Sequence, residues 1–428
     1  MYKLDPAAVY AWPQVLDDPL CSTRVERILR ACDRSPDDLI IITRDSLGDV
    51  VSQLRDLQRP APRRRALVFG QLQTDDTEPD WDDLLARCPE GTSKGELVQL
   101  YGHGTNLNYR RREGDQQTNH VCWCAREFNT IWGCSHGCQY CGMGRSGNRL
   151  VLGMNLEKYA EKIVRPALVE YPWQKCYRLI GAAADQITFE PEYGGYEAIG
   201  KVFSDFPDRY IVTHTASDNV YWLADFPYRN QIIHVYSLTS DDYAAALEPD
   251  TPTPAERLAA AAYCESLGIP SRPKLKPIIP VRNWREDYER LIADLFAHTH
   301  PQSVGLCVMM WMSLATAREF LDMDQLEPAY AQAMQEQEEA LRGVDTGPFP
   351  PEVRKEIYRF LIAEIRRHDK DVPVYISTET REMWDELEAE LSQSKKAFIC
   401  GCGPMATPDG KLTLSPDMKL TTYSPTDC

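Results

Sequence analysis

The sequence predicts an α/β fold, namely a partial (β/α)6 barrel with an N-terminal α/β region and a helical, cysteine-containing C-terminal extension. From residue 127 onward, short β-rich segments alternate with amphipathic helical segments, a pattern typical of parallel βαβ units. About six such units fit either an incomplete barrel or an open doubly wound sheet. The 428 residues, 43% of them hydrophobic, provide enough chain for one large core with additions.

The chain is expected to divide into an N-terminal α/β region at 1–120, the barrel at 121–315 and the C-terminal extension at 316–428. The barrel strands are predicted at 128–132, 177–181, 210–214, 232–237, 273–279 and 304–309. The helices between them are predicted at 156–170, 196–203, 254–267 and 285–296.

The flanking regions have weaker patterns. The N-terminal region is predicted to contain a helix at 23–32, strands at 39–42 and 66–69, and loops at 74–83 and 109–118. The C-terminal extension is predicted to contain helices at 327–341, 351–367 and 380–391, a strand at 372–376, and a structured tail from residue 398.

The charge balance argues against nucleic acid as a partner. The formal net charge is -17, whereas proteins that bind phosphate backbones usually carry a basic face. Arg63, Arg64 and Arg65 form a short basic run, but Pro60 and Pro62 beside it favour a solvated loop.

Cysteine usage and hydropathy indicate a cytoplasmic protein that binds a metal or cluster. The N-terminus lacks the basic and apolar segments of a signal peptide, and no run of about 18 apolar residues occurs. Without an export signal, the 14 cysteines favour metal or cluster binding by a clustered subset over a disulfide framework. Six cysteines in helical or strand patterns are expected in the core: Cys21, Cys32, Cys88, Cys176, Cys264 and Cys307.

One short segment carries most of the chemical information. Cys134, Cys138 and Cys141 are spaced C-x3-C-x2-C, so three thiolates can face one point if the chain curls. Three glycines are expected to supply the positive φ angles of that curl: Gly133, Gly137 and Gly142. A three-thiolate site leaves one iron of a [4Fe–4S] cluster open, whereas structural zinc would need His136 or Cys124 as a fourth ligand.

This motif, placed after the first strand of a βα series, resembles that of the radical S-adenosylmethionine (SAM) superfamily. The resemblance implies that the open iron chelates the amino and carboxylate groups of SAM, and that electron transfer yields a 5′-deoxyadenosyl radical. It also implies a reducing partner such as flavodoxin or ferredoxin, and a place for Tyr140 beside the adenine.

A second resemblance covers roughly residues 125–310. The runs SLTSDDYAAALEPDTPTPAERL, from Ser237, and GIPSRPKLKPIIPVRNWREDYE, from Gly268, are similar to the spore photoproduct lyase family. Three departures argue against photoproduct repair. The 181–185 stretch lacks the hydrogen-donor cysteine of the repair enzymes, Gly142 replaces an aromatic residue, and His214 replaces a lysine.

Further candidates lie where barrel strands end, since the carboxyl ends of such strands carry the chemistry. The candidate cofactor contacts, besides Tyr140, are Asp185, His214 and Ser237, and Ser217 is a further candidate at a strand end. Each could instead make a helix N-cap or loop hydrogen bond, and for Asp185 and Ser217 this alternative is equally favoured. The candidate substrate contacts are Lys274, Lys276, Arg282 and Asn283. Arg272, Lys274 and Lys276 share one strand face, and if that face is inward each cation needs an anionic partner.

The tail offers a second possible cluster. Cys400, Cys402 and Cys428, with Cys124 as a fourth ligand, could hold an auxiliary iron–sulfur cluster near the barrel mouth, and buried free thiols are the alternative.

The sequence thus favours a radical SAM enzyme, of lyase or oxidoreductase type, that abstracts hydrogen from a small anionic organic substrate. Nucleotide-like compounds are among the candidates because of the family resemblance. The alternatives are a DNA repair enzyme like spore photoproduct lyase and a non-catalytic iron–sulfur or zinc binding module.

Overall fold

The computed structural model describes residues 1–57, 60–103, 120–121, 125–180, 184–310, 312–342, 347–395 and 398–408. The strands of these ranges, in chain order, are β1 (Val9–Ala11), β2 (Leu39–Ile41), β3 (Ala66–Gly70), β4 (His120–Val121), β5 (Glu127–Phe128), β6 (Ile131–Trp132), β7 (Arg149–Gly153), β8 (Cys176–Leu179), β9 (Tyr210–Val212), β10 (Ile232–Leu238), β11 (Ser271–Ile278), β12 (Val304–Val308), β13 (Val374–Ile376) and β14 (Glu379–Thr380).

The helices of the N-terminal half, in chain order, are α1 (Pro13–Leu16), α2 (Pro19–Ala31), α3 (Leu47–Asp56), α4 (Trp81–Ala86), α5 (Lys94–Tyr101), α6 (Gly142–Ser146), α7 (Leu156–Tyr159), α8 (Arg165–Glu170) and α9 (Gly195–Phe203). Those of the C-terminal half are α10 (Asp241–Leu247), α11 (Pro254–Ser266), α12 (Trp284–His298), α13 (Leu314–Ala317), α14 (Pro328–Glu336), α15 (Glu338–Leu341), α16 (Pro351–His368), α17 (Arg381–Glu386) and α18 (Glu388–Leu391). None of them combines the length and apolar character needed to span a lipid bilayer.

The larger sheet is a parallel, open barrel. Its seven strands lie in the order β13-β12-β11-β10-β9-β8-β5, and every neighbouring pair is parallel. Spatial order follows chain order, so the strands all point the same way and their carboxyl ends form one rim. The predicted α/β fold with a partial barrel is confirmed.

The sheets do not divide at the expected region boundaries. The smaller sheet has the order β2-β1-β3-β7-β6, so it takes two strands from the segment after residue 120. The predicted strand at 128–132 is split between the two sheets, with β5 in the barrel and β6 antiparallel to β7. At the other end, β13 comes from the expected C-terminal extension and pairs with β12 in the barrel.

Two apolar clusters stabilise this arrangement. One joins the smaller sheet to α9 and the first barrel strands, and the other fills the space between the later barrel strands, α12 and α16. The helix α11 begins at a capping box, in which Thr253 and Glu256 satisfy each other's backbone N–H groups. The cap fixes where α11 starts, and therefore where the preceding 247–251 segment lies.

Residues 398–408, which we call the floor segment, close the amino end of the barrel. The backbone N–H groups of Lys175 and Cys176, at the start of β8, donate to the carbonyl of Pro404 at 2.7 and 2.8 Å. Near the start of β11, the buried Arg272 guanidinium donates to the carbonyls of Gly401, Ala406 and Thr407 at 3.0, 2.6 and 3.0 Å. The floor segment is thus fastened to the end of the barrel opposite the carboxyl rim.

We predict that Arg272→Met lowers the free energy of unfolding by about 3 kcal/mol, because it removes charge-assisted hydrogen bonds and leaves buried carbonyls without a donor. Urea unfolding followed by circular dichroism measures the change. The exposed Arg282 provides a matched control, and Arg282→Met should change stability by no more than about 0.5 kcal/mol. Equal effects of the two substitutions would contradict the anchoring role of Arg272.

Candidate active site

The cysteine loop, residues 133–147, connects β6 to β7 at the carboxyl rim. Gly133 has a φ of 95°, and a Cβ there would clash with the carbonyl of Arg149. Gly144 also has to be glycine, because a Cβ would clash with the carbonyl of Cys138. The loop therefore folds back on itself so tightly that backbone lies where side chains would otherwise be.

The glycine prediction was right for one residue and wrong for two. Gly137 and Gly142 are absent from the positive-φ positions. Gly137 instead allows a close approach, since a Cβ would lie 2.9 Å from the carbonyl of Pro249. A Cβ at Gly142 would meet nothing within 4 Å.

The 247–251 segment, which contains the E-P-D-T run, holds one side of the cysteine loop. The N–H groups of Gly137 and Gln139 donate to the carbonyls of Pro249 and Leu247 at 3.0 and 2.8 Å. These two backbone hydrogen bonds hold the 247–251 segment against the cysteine loop. The ring of Pro249 restricts its backbone, and the carbonyl of Pro249 is the acceptor for the N–H of Gly137.

Glu248 extends that support to a side chain of the loop. Its carboxylate is buried and accepts hydrogen bonds from Tyr140 Oη at 2.6 Å and Thr239 Oγ1 at 2.9 Å, and it forms a buried ion pair with Arg257. Burial raises the pKa of Tyr140, so its hydroxyl remains a donor. The Tyr140 ring is thereby fixed in orientation beside the cysteines.

Arg65 holds the loop from the N-terminal region. Its guanidinium donates to the carbonyl of Cys134 and, at 2.9 Å, to that of Gly144. The residue is 1% exposed, so the expected solvated loop was wrong for Arg65, whereas Arg64 is exposed. Burial lowers the pKa of Arg65, and the cysteine thiols nearby oppose that shift.

The three loop cysteines line one cavity of about 240 Å³. The other walls come from the loop and from the carboxyl ends of strands β8 to β11. They are formed by His136, Tyr140, Gly144, Arg178, Ile180, Ala184, Asp185, His214, Thr215, Ala216, Ser237, Lys276 and Pro277. The structure therefore brings together all four predicted cofactor contacts, Tyr140, Asp185, His214 and Ser237, and one predicted substrate contact, Lys276.

Asp185 is held rigidly in the cavity wall. Its carboxylate accepts from Thr215 Oγ1 at 2.7 and 2.8 Å and from the N–H of Ala216 at 2.7 Å. His136 Nε2 lies 3.4 Å from the same group. A carboxylate in fixed orientation beside the cysteines can accept a hydrogen bond from an ammonium group in the cavity.

Arg178 is a wall residue that sequence reasoning missed. It forms a buried ion pair with Glu127, its register partner on β5, and its other nitrogen contacts His214 Nδ1. The contact orients His214, whose φ of 58° already departs from the ordinary range. The available signal was a charged residue inside an otherwise apolar strand, which is costly unless it is paired.

The structure leaves several predicted residues outside the cavity. Arg282 and Asn283 are exposed, and the Arg282 guanidinium donates to the carbonyl of Asp324 at 2.7 Å. Ser217 donates to Tyr2 Oη at 2.7 Å and is a loop hydrogen-bonding residue. Lys274 is buried, as its inward position predicts, but its Nζ contacts Ser377 and Cys402 below the cavity.

The tail cysteines lie in different parts of the structure. Cys400 and Cys402 are buried in the floor segment, at the opposite end of the barrel from the mouth where a second cluster was expected. Cys124 and Cys428 lie outside the described residues. The six cysteines predicted in the core are buried, except Cys88, which is half-buried.

The loop fits an iron–sulfur cluster better than a single ion. Among the described residues, no three His, Cys, Asp or Glu side chains converge closely enough to hold one metal ion, whereas the cysteines of a [4Fe–4S] cluster each bind a different iron. Burial raises the pKa of Cys134, and raises that of Cys138 to about 12, and binding a cluster would displace the proton of each thiol.

A buried donor beside the cysteines supports the same fit. Arg65 Nε is buried and has no hydrogen-bond partner within the part of the chain that the structure describes. A buried N–H without an acceptor is costly, so a negatively charged group next to it would be stabilising. A cluster with its thiolates provides such a group.

Comparisons with known proteins identify solved structures that have a similar fold. No family model and no curated protein matches the chain. Spore photoproduct lyase complexed with dinucleoside spore photoproduct is similar in structure, with a TM-score of 0.60 and 14% identity over 87% of this chain and 99% of that one. A mutant of that enzyme with bound AdoMet and the same dinucleoside gives a TM-score of 0.58 at 14% identity, over 87% and 98% of the two chains. The chain thus has the fold of spore photoproduct lyase.

We predict that Arg65→Gln lowers the reduction potential of a cluster reconstituted on the cysteine loop by tens of millivolts, because the positive charge held on that loop would stabilise the reduced, more negative form. Redox titration monitored by electron paramagnetic resonance measures it. Arg65→Lys keeps the charge and should retain most of the potential while weakening the two carbonyl contacts. Identical potentials in the parent chain and Arg65→Gln would show that the guanidinium acts only on the loop backbone.

Proposed function

We propose that this chain is a radical SAM enzyme whose [4Fe–4S] cluster is held by Cys134, Cys138 and Cys141. The observation that carries the proposal is that these three thiols line the same cavity as Asp185 and Ser237 at the carboxyl rim of a partial barrel. The fold similarity to spore photoproduct lyase supports it. When bound, the cluster and SAM would together supply a 5′-deoxyadenosyl radical.

The residues of the chain would bind and orient the cofactor. The Asp185 carboxylate would accept a hydrogen bond from the ammonium group of SAM, since its own donors leave lone pairs available. Tyr140, fixed by Glu248, would pack against the adenine. Ser237 and His214 would contact the polar parts of the cofactor from the strand ends.

The same cavity would select a small anionic substrate. Lys276 lines it, and a cation in such a wall favours a carboxylate or phosphate. A nucleotide-like compound would carry such an anionic group, and the similar solved structures include one with a dinucleoside photoproduct. A protein electron donor such as flavodoxin or ferredoxin would supply the reducing electron.

DNA photoproduct repair is the second candidate, because the similar solved structures include one with a dinucleoside photoproduct. Two features of this chain disfavour it. The 181–185 stretch has no cysteine to return a hydrogen atom, and the net charge is -17, which opposes binding to a phosphate backbone.

We predict that replacing Cys134, Cys138 and Cys141 with alanine abolishes reductive cleavage of SAM, because the cluster loses its protein ligands. The measurement is 5′-deoxyadenosine formed by anaerobically reconstituted protein with dithionite. Cys88→Ala, which removes a half-buried thiol outside the cavity, is the control and should retain full activity. Undiminished 5′-deoxyadenosine from the triple variant would end the proposal, and a parent chain that binds iron but forms none would indicate a non-catalytic module.

A separate prediction concerns DNA. Single-stranded and duplex DNA should bind weakly and without preference for ultraviolet lesions, as expected from the acidic net charge. Fluorescence anisotropy with irradiated and unirradiated oligonucleotides measures both. Release of intact thymines from a dinucleoside photoproduct at a useful rate would instead establish the repair function.

A further inference from the structure

Two cysteines meet in the floor segment. Cys400 Sγ and Cys402 Sγ lie 3.9 Å apart, and each residue is 4% exposed. The residue between them is Gly401, where a Cβ would lie 2.8 Å from Tyr375 Oη and 3.2 Å from Ser303 Oγ. Only glycine therefore lets the loop approach the barrel wall closely enough to direct both thiols inward.

A buried cation accompanies the pair. Lys274 is 2% exposed, and its Nζ lies 3.6 Å from Cys402 Sγ and 3.3 Å from Ser377 Oγ. A buried ammonium group is stabilised by a neighbouring anion, and a thiolate at Cys402 would provide one. The hydrogen bond from Cys400 and the charge of Lys274 lower the pKa of Cys402, although burial opposes them.

The surroundings are unsuited to a second cluster. The Lys274 ammonium lies 3.6 Å from Cys402 Sγ, and a metal cation bound to that sulfur would be repelled by it. Among the described residues, no third His, Cys, Asp or Glu completes a metal site with the two cysteines. A thiol close to a thiolate, with a cation beside the thiolate, is instead the arrangement of a thiol–disulfide redox pair.

We propose that Cys400 and Cys402 form a redox-active dithiol at the barrel floor, with Lys274 stabilising the Cys402 thiolate. Its exchange partner is a small disulfide, which reaches these buried thiols when the floor segment opens locally. The Cys402 thiolate attacks one sulfur of that disulfide, whose S–S bond breaks and releases a thiolate. Cys400 gives its proton to that thiolate, its sulfur attacks the sulfur of Cys402, and the second thiolate leaves.

Each cycle oxidises two protein sulfurs by two electrons in total and reduces one external disulfide. The chemistry of the dithiol requires neither the cluster nor SAM. A test of the dithiol is therefore separate from a test of the proposed function. Oxidation also leaves Lys274 buried without its anion. A disulfide across one residue restrains the unfolded chain little, so the disulfide form should be less stable than the dithiol form.

The test uses the full reconstituted chain, equilibrated anaerobically in buffers of oxidised and reduced dithiothreitol. After acid quenching, denaturation and labelling with N-ethylmaleimide, the tryptic peptide 397–411 contains only these two cysteines. We expect this peptide to become unlabelled and to lose two hydrogen atoms as the buffer becomes more oxidising. Oxidation should also lower the Tm of the protein.

Variants separate the redox role from a structural one. Lys274→Met should raise the equilibrium constant for oxidation by about tenfold, because the reduced thiolate loses its cation, and it should remove the fall in Tm. Lys274→Arg keeps the charge and should behave like the parent chain. Cys400→Ser should leave Cys402 labelled in every buffer.

Two outcomes would contradict the proposal that Cys400 and Cys402 form a redox-active dithiol. The first is full labelling of both cysteines in every buffer while circular dichroism shows an intact fold. The second is about four irons retained by the variant that lacks Cys134, Cys138 and Cys141, which would make the floor cysteines ligands of a second cluster. Neither result bears on SAM cleavage at the cavity.

Discussion

The candidate site depends on hydrogen bonds to the backbone of the cysteine loop, whose regular structure is the single short helix α6. Arg65 joins the carbonyls of Cys134 and Gly144, while the 247–251 segment accepts from the loop's N–H groups on the other side. Without these contacts, three thiols on a glycine-rich loop would sample many positions, at a large cost in conformational entropy on binding a cluster. The buried charge of Arg65 is tolerable because its carbonyl acceptors are fixed.

The two sheets contribute to the site in different ways. The smaller sheet supplies Arg65 just before β3 and receives the chain again at β7, so the cysteine loop is tied to this sheet at both ends. The barrel supplies the opposite wall, with Asp185, His214 and Ser237 at strand ends. The cavity thus lies between a loop held by one sheet and the rim of the other, and the N-terminal region forms part of the site.

The elements with strong local patterns could be predicted from the sequence. Apolar strands alternating with amphipathic helices identified the barrel, and the cysteine spacing identified the loop, because both signals are short-range. The contacts of Arg65 and Glu248 could not be predicted, since their partners lie 69 and 108 residues away in the chain. Arg282 and Asn283 were selected by their place after a strand, but β11 already ends at Ile278, and these two residues lie beyond it and are exposed.

The account's central claim is that three thiols hold a cluster with one iron left open for SAM. Mössbauer spectroscopy of 57Fe-reconstituted protein, with and without SAM, tests it most directly. We predict that SAM changes the isomer shift of one iron in four and leaves the other three unchanged, because only the iron without a thiolate can accept new ligands. Four equivalent irons that do not respond to SAM would contradict the claim.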